Sequence, residues 1–304
     1  MRRRAVITGA TGFTGGHLAR MLVDAGWDVT ALCRAGSDVR GLAQDAVRIV
    51  RIDAAESPSA VASAVDEALG TDAPQAVFSL ATQRSDRTLA EAAAMFDANV
   101  RLPAVLVAGL ADRGGGILVT SASYMLGAHG VAPSMFSSSR GAIDPVLAWA
   151  SAHAGVRVAT LSFSSIYGPG DERAKVLAAL FAAATGGTPL DMVDPARELD
   201  MVHVTDASTA FVRAAGLLVD GTVDSVGRYD VSSGCRVSLE ELVSLVEHAT
   251  GMPIDARWGL RRASASDSVV APDAPNWLPG WLPLVTLEAG LREIAQERSA
   301  RISP

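Results

Sequence analysis

Among 304 residues there are two cysteines and three tyrosines, and Lys175 is the only lysine. Each scarcity narrows the chemistry open to the chain. Cys33 and Cys235 lie far apart and lack the spacing of a metal-ligand pair, which argues against a disulfide framework or a structural metal and for a reducing compartment. Acidic residues outnumber basic ones, 33 to 26, giving a formal net charge of −7 and leaving no basic field to attract nucleic acid or anionic lipid. Asp, Glu, Arg or Gly interrupts every apolar stretch before it reaches the roughly 18 residues of a membrane span, so no membrane partner is expected. With 49% hydrophobic and only 19% charged residues, disorder is also excluded. Arg2, Arg3 and Arg4 precede an apolar stretch as in a signal peptide, but glycines at 9, 12, 15 and 16 break it, so it reads as a strand and a turn. A cytoplasmic protein is the expectation.

What is present is an alternation. Ala5 to Thr8 reads as a strand, TGATGFTGG as a glycine-rich turn, and HLARMLVDAG as an amphipathic helix closed by Gly26. Val29–Cys33 and Val47–Ile52 follow as strands, and Ser57 with Pro58 starts a helix through Leu69. Ala76–Leu80, Ile117–Ser121 and Val156–Phe163 read as further strands, separated by helical regions over Thr88–Asp112 and up to His153. Strands and helices in this order build an α/β fold with a doubly wound parallel sheet. Beyond Tyr167 the pattern loosens into turn clusters and shorter helices. Residues 1–165 are therefore expected to form a dinucleotide-binding core, and 166–304 mainly a smaller substrate-binding region with segments returning to that core. Ser238 and Glu241 predict a capping box for a helix ending near Gly251, and APNWLPGWLP reads as a surface turn before a terminal helix.

The first chemical motif is Thr8-Gly9-Ala10-Thr11-Gly12-Phe13-Thr14-Gly15. Its glycines let backbone approach a pyrophosphate while the following helix aims its first N–H groups at the charge. A bare glycine pattern is also compatible with a plain tight turn. Its place after a first strand and before an amphipathic helix favours the dinucleotide.

Together with LAT at 80–82, Asn99-Val100, IYGPGD at 166–171, VHVTD at 202–206 and YDVSSG at 229–234, this motif resembles the extended short-chain dehydrogenase/reductases, the NAD-dependent epimerase/dehydratase family. The resemblance runs over nearly the whole chain and implies a Rossmann-type fold, a nicotinamide cofactor, a small-molecule substrate and a plausible homodimer. It carries Thr8, Gly9, Thr11, Gly12, Phe13, Thr14 and Gly15, together with Leu80 and Ala81, to the cofactor.

Cofactor choice turns on the end of the second strand. NAD-selective members carry an acid there; this chain reads Leu32-Cys33-Arg34, and Arg34 is suited to clamp a 2′-phosphate, or else is a solvated arginine. NADP is accordingly favoured over NAD. Asp53 matches the family's adenine-contacting aspartate, or caps a loop.

The proton-transfer residues depart from the family. The helix PSMFSSSRGAID puts Phe136 at the usual Tyr and Arg140 at the usual Lys, and Ala122 takes the place of the Ser or Thr after the fifth strand. Phenylalanine has no proton to give, whereas Arg140 can still hold ribose hydroxyls. Tyr124 is the best replacement acid because it follows the fifth strand; the competing reading is a packed tyrosine. Ser123 and the neighbouring serines 121 and 137–139 offer hydrogen bonds to a substrate oxygen, and His129 is a loop imidazole that is either functional or simply solvated. Ser123 and Tyr124 also replace the Asp-Glu pair of dehydratases, and Ser162-Phe163-Ser164-Ser165 lacks the Asn of sugar-nucleotide enzymes. Three functions are compatible with this pattern: an atypical NADP-dependent reductase or epimerase-like enzyme, a non-redox cyclase, isomerase or lyase, and a non-enzymatic NADP sensor or partner-binding protein.

Overall fold

The computed structural model describes residues 3–43, 46–52, 57–72, 74–123, 134–173, 175–223, 226–262 and 275–302. In chain order the elements begin β1 (Arg4–Thr8), α1 (Phe13–Asp24), β2 (Asp28–Arg34), α2 (Arg40–Ala43), β3 (Arg48–Ile52), α3 (Pro58–Leu69), β4 (Ala76–Ser79), α4 (Leu89–Phe96) and α5 (Leu102–Ala111). They continue with β5 (Gly116–Ser123), α6 (Met135–Gly141), α7 (Asp144–His153), β6 (Val156–Phe163), β7 (Ser165–Tyr167), α8 (Val176–Gly186), β8 (Leu190–Asp191) and β9 (Glu198–His203). The last are α9 (Val204–Val219), β10 (Val226–Val231), β11 (Arg236–Ser238), α10 (Leu239–Thr250), β12 (Ala256–Arg257) and α11 (Leu287–Ile302). Two compact units result: Met1–Ser162 with Ser208–Asp230 and Asn276–Leu278, and Phe163–Ala207 with Val231–Pro275 and Pro279–Pro304.

The first unit is built on a seven-stranded sheet in the order β10-β6-β5-β4-β1-β2-β3. The pairs β1/β2, β1/β4, β2/β3 and β4/β5 are parallel. The strand order reverses at β1, and the carboxyl ends on either side of such a switch form the crevice where α/β sheets take ligands. Both faces of the sheet are covered, which is why its strands read as apolar runs without alternation. Val6, Leu32, Val77 and Leu118 point into one cluster with Val61, Val65 and Leu69 of α3 and Leu106 and Leu110 of α5. Phe78, the next residue of β4, packs edge-on against Phe211 of α9 at 6.5 Å between ring centroids.

Helix boundaries follow local chemistry. Ser57 Oγ accepts from the Ala60 amide with Pro58 opening α3, and Thr88 and Glu91 close a reciprocal capping box on α4. The helical region expected over Thr88–Asp112 widens into a π turn at Asp97–Arg101. Pro103 follows two residues later; it has no N–H for the Asn99 carbonyl and its ring presses on that group, so the wider turn relieves the conflict. The whole run Leu89–Ala111, 23 residues, is long and apolar enough to cross a membrane by composition. That corrects the expectation that charged residues break every such stretch. Within it Met95, Leu106, Val107 and Leu110 are buried in the first unit, while Leu89 and Phe96 are exposed.

The second unit has a three-stranded sheet β11-β9-β7 and a two-stranded sheet β12-β8. Its core gathers Tyr167, Leu180, Phe181, Met201, Leu242, Val246 and Leu291. The capping box at Ser238 and Glu241 is present, and α10 ends at Gly251 in the left-handed region. The APNWLPGWLP stretch is not merely a surface turn. In the first unit the Asp230 amide donates to the Asn276 carbonyl, the Asn276 amide donates to Asp230 Oδ2, and Trp277 bridges to Asp230, extending the edge of β10; in the second, Trp281 is 8% exposed with its indole N–H donating to the Asp206 carbonyl at 3.2 Å. The burial of Trp281 has no period in the sequence to announce it, and Trp277 stays exposed.

Candidate functional site

The glycine turn sits at the switch point. Thr8 is fully buried at the end of β1, and its hydroxyl accepts from the amides of both Leu80 and Ala81 at 3.1 Å, joining the turn to the end of β4. Gly9 takes φ +74°, and a Cβ there would lie 2.7 Å from the Ala81 nitrogen. A Cβ at Gly15 would lie 2.2 Å from the Gly9 carbonyl oxygen, so helix and turn touch backbone to backbone. α1 starts at Gly12 with no side-chain cap and no acid in its first turn. No side chain caps this helix start, and the helix dipole stands behind it. This backbone fits a dinucleotide pyrophosphate.

At the end of β2, Arg34 is exposed. Arg51 on β3 donates from one nitrogen to the carbonyls of Arg34, Ala35 and Ser37, at 3.0, 3.2 and 2.9 Å. The nearby Asp38 carboxylate is bound on both oxygens by Arg40, which holds its pKa down at about 2. Burial pushes the Cys33 thiol up, against the pull of Arg51, so this thiol is an inert packing group. Asp53 lies outside the described residues.

The third cluster joins β5, α6 and the loop after β4. Arg140 reaches the end of β5, donating to the hydroxyls of Ser121 at 3.3 Å and Thr120 at 3.5 Å. Burial lowers its pKa to about 10, with Asp144 opposing and Arg228 reinforcing that shift. It remains a cation at neutral pH and cannot serve as an acid there. Phe136, one turn earlier on α6, lies under the Arg84 guanidinium at 4.7 Å. Asn99 in the π turn ties the cluster together. Its Oδ1 accepts from Thr82 and from the Gln83 amide, and its Nδ2 donates to the Gln83 carbonyl and to Ser139 Oγ. Ser139 in turn donates to the Phe136 carbonyl at 2.8 Å.

Of the expected residues, Thr8, Gly9, Leu80 and Ala81 converge at the switch point, and Arg140 meets the end of β5, the strand that Ser123 terminates. Tyr124 and His129 lie outside the described residues. Ser137 and Ser139 are buried and bound up in the α6 cap and the Asn99 network, which removes them as substrate ligands. Sequence reasoning missed Arg84 and Gln83. They sit in an ordinary polar loop, and their partners lie 16 and more residues away, leaving no local signal. Among the described residues no group of three or more His, Cys, Asp or Glu could hold a metal ion.

In the second unit His203 packs its ring edge-on against Tyr167 at 5.4 Å. The Tyr167 hydroxyl donates to the Thr286 carbonyl, and burial together with Asp206, Glu293 and Glu288 drives its pKa well above the usual tyrosine value. It is therefore architectural, not a proton donor.

No curated protein sequence matches the chain. Solved structures do. The UDP-glucose 4-epimerase of Thermotoga maritima superposes with a TM-score of 0.80 at 18% identity, over 99% of this chain and 100% of that one. The UDP-N-acetylglucosamine 4-epimerase of Methanobrevibacter ruminantium gives 0.81 at 17%, over 99% and 100%. The UDP-glucose 4-epimerase of Thermus thermophilus, solved with NAD, gives 0.78 at 21%, over 98% and 100%. At these identities the likeness is one of fold. The sequence pattern of the NAD dependent epimerase/dehydratase family, by contrast, matches residues 5–224, the stretch that carries the glycine turn, the switch point, the Asn99 network and α6. The chain belongs to that family of enzymes.

Proposed function

We propose that this protein is an NADP(H)-dependent enzyme of the short-chain dehydrogenase/reductase type that acts on a small molecule without proton transfer through residue 136. The observation that carries this reading is the split fate of α6. Arg140 retains a reach to the end of β5 suited to ribose hydroxyls, while Phe136, one turn away, presents an aromatic face with no proton to exchange. When bound, the nicotinamide would supply or accept a hydride. The N-terminal turn of α1 would hold its pyrophosphate, and Arg140 its ribose. Proton transfer then falls to Tyr124, with His129 or solvent as the next candidates and Ser123 as a hydrogen-bonding partner for the substrate oxygen.

The NADP preference is supported by charge at the end of β2. Arg34 is exposed there, and the Asp38 carboxylate four residues on is occupied by Arg40. Calorimetry with both cofactors tests it: one charge-assisted contact is worth about 1.5–3 kcal/mol, or roughly tenfold to over a hundredfold in affinity. Equal affinities, or tighter NAD, overturn the assignment. The apolar residue at 136 also favours a second reading, a non-redox isomerase or lyase. Turnover with no change in nicotinamide absorbance would select it.

A further inference from the structure

The turn that follows β2 has a fixed backbone and uncommitted side chains. The Ser37 amide donates to the Arg34 carbonyl at 3.0 Å, so Arg34 and Ser37 are the first and last residues of one β-turn, with Cα atoms within about 7 Å of each other. The Ala35 amide donates to the Ile52 carbonyl at 2.9 Å, and the carbonyls of Arg34, Ala35 and Ser37 all converge on Arg51. At the tip, a Cβ on Gly36 would meet nothing within 4 Å, so the turn opens to solvent there. Among the described residues, neither the exposed Arg34 guanidinium nor the Ser37 hydroxyl has a hydrogen bond or an ion pair. Charge separates this turn from a plain surface loop. Asp38, the one carboxylate in the run Arg34–Arg40, is bound on both oxygens by Arg40 at 3.1 and 2.6 Å. Arg34 and Arg51 are thus two cations beside one turn, and Arg51 is spent on neutral carbonyls. A phosphomonoester carries about −1.5 to −2 at neutral pH, whereas a ribose diol carries no charge.

We infer that this turn is a phosphomonoester site in which Ser37 stands beside Arg34 as a second specificity-determining residue for the 2′-phosphate of NADP, with Arg51 as the positioning residue. The inference rests on the NADP reading of the end of β2 and extends it from one arginine to a site of three residues. Arg34 supplies the charged fork and Ser37 a hydroxyl that donates to a phosphate oxygen. Arg51 holds the turn that carries both and adds its own charge to the field.

Calorimetry on the full chain with NADP and NAD tests the assignment. Ser37→Ala should lose about five- to tenfold in NADP affinity with NAD unchanged, and Ser37→Thr, which keeps the hydroxyl, should retain the wild-type value. Arg51→Met should lower the NADP to NAD affinity ratio by at least about threefold, and Arg51→Lys, whose ammonium keeps the charge and three donors, should recover most of it. Full NADP affinity in Ser37→Ala, or an equal loss for NAD, overturns the role of Ser37. An unchanged ratio in Arg51→Met, or equal losses for both dinucleotides, makes Arg51 a structural brace and overturns its role. If Arg34→Ala abolishes the preference while Ser37→Ala and Arg51→Met leave it intact, the NADP reading stands and the three-residue site falls; equal affinity for NADP and NAD in the unaltered chain overturns both.

Discussion

Asn99 and Ser139, 40 residues apart in sequence, are joined by a buried hydrogen bond of 2.9 Å. Through it the π turn, the loop after β4 and the helix carrying Phe136 and Arg140 become one piece. Asn99→Leu would keep the volume and strand the Gln83 amide, the Gln83 carbonyl and Ser139 without their partner. The expected loss is roughly 2–4 kcal/mol, because each orphaned polar group keeps its desolvation penalty. Urea denaturation measures it, and a loss under about 1 kcal/mol would mean that water replaces the amide.

Arg140→Ala should weaken dinucleotide binding by tenfold to a hundredfold, about 1.5–3 kcal/mol. The same substitution should leave the glycine turn intact, since Thr8, Leu80 and Ala81 make their own contacts. Titration of the variant decides the point. Unchanged affinity would reduce Arg140 to a strap between α6 and β5.

Phe136→Tyr alone should not create a strong conventional dehydrogenase. A tyrosine acid needs a neighbouring lysine and an aligned hydroxyl, and this chain has Arg140 and Ala122 at those positions. Groups that act as a unit recover little when restored singly. Tyr124→Phe is instead the damaging change, expected to cut turnover by about 10²–10⁴-fold. Full turnover in that variant would move the proton to His129 or solvent.

His203 supplies a pH dependence of stability. Its side chain is 2% exposed and its Nε2 lies 3.4 Å from Glu293 Oε2. Burial lowers its pKa, while Glu293 and Asp206 pull it upward less strongly. The unfolded chain therefore takes up its proton first, near the ordinary histidine value of 6.5, and the folded chain only at lower pH. Between those points the unfolded state binds more protons, so stability present above pH 6.5 declines as the pH falls through this window. Glu293→Gln removes the opposing carboxylate and should steepen that decline, and His203→Asn should flatten it. A series of Tm values across pH 5–8 reads both slopes; identical slopes in all three proteins would exclude His203 as the source.

The legible parts of this molecule are those whose partners lie nearby in sequence. The strand and turn at Ala5–Gly15, the Ser57-Pro58 helix start and the Ser238/Glu241 box each depend on residues within one or two turns, and the structure contains all three. The Asn99 network depends on contacts 16 to 40 residues distant, and the widening at Asp97–Arg101 on a proline whose effect is felt four residues upstream. Trp281 was unreadable for a related reason: its indole finds the Asp206 carbonyl across 75 residues. At the site, resemblance identified Phe136 and Arg140 by position. Only geometry revealed that Arg84 lies over that ring.

Arg51 gathers the carbonyls of Arg34, Ala35 and Ser37 on one guanidinium nitrogen. The entropy of fixing that loop is thus lost when the chain folds, not when a molecule arrives beside it. An incoming adenosine phosphate would meet a rigid wall. Arg51→Met would hand the ordering cost back to the encounter, so its signature belongs in a less favourable binding entropy and a slower association, with the contacts of the final complex unchanged.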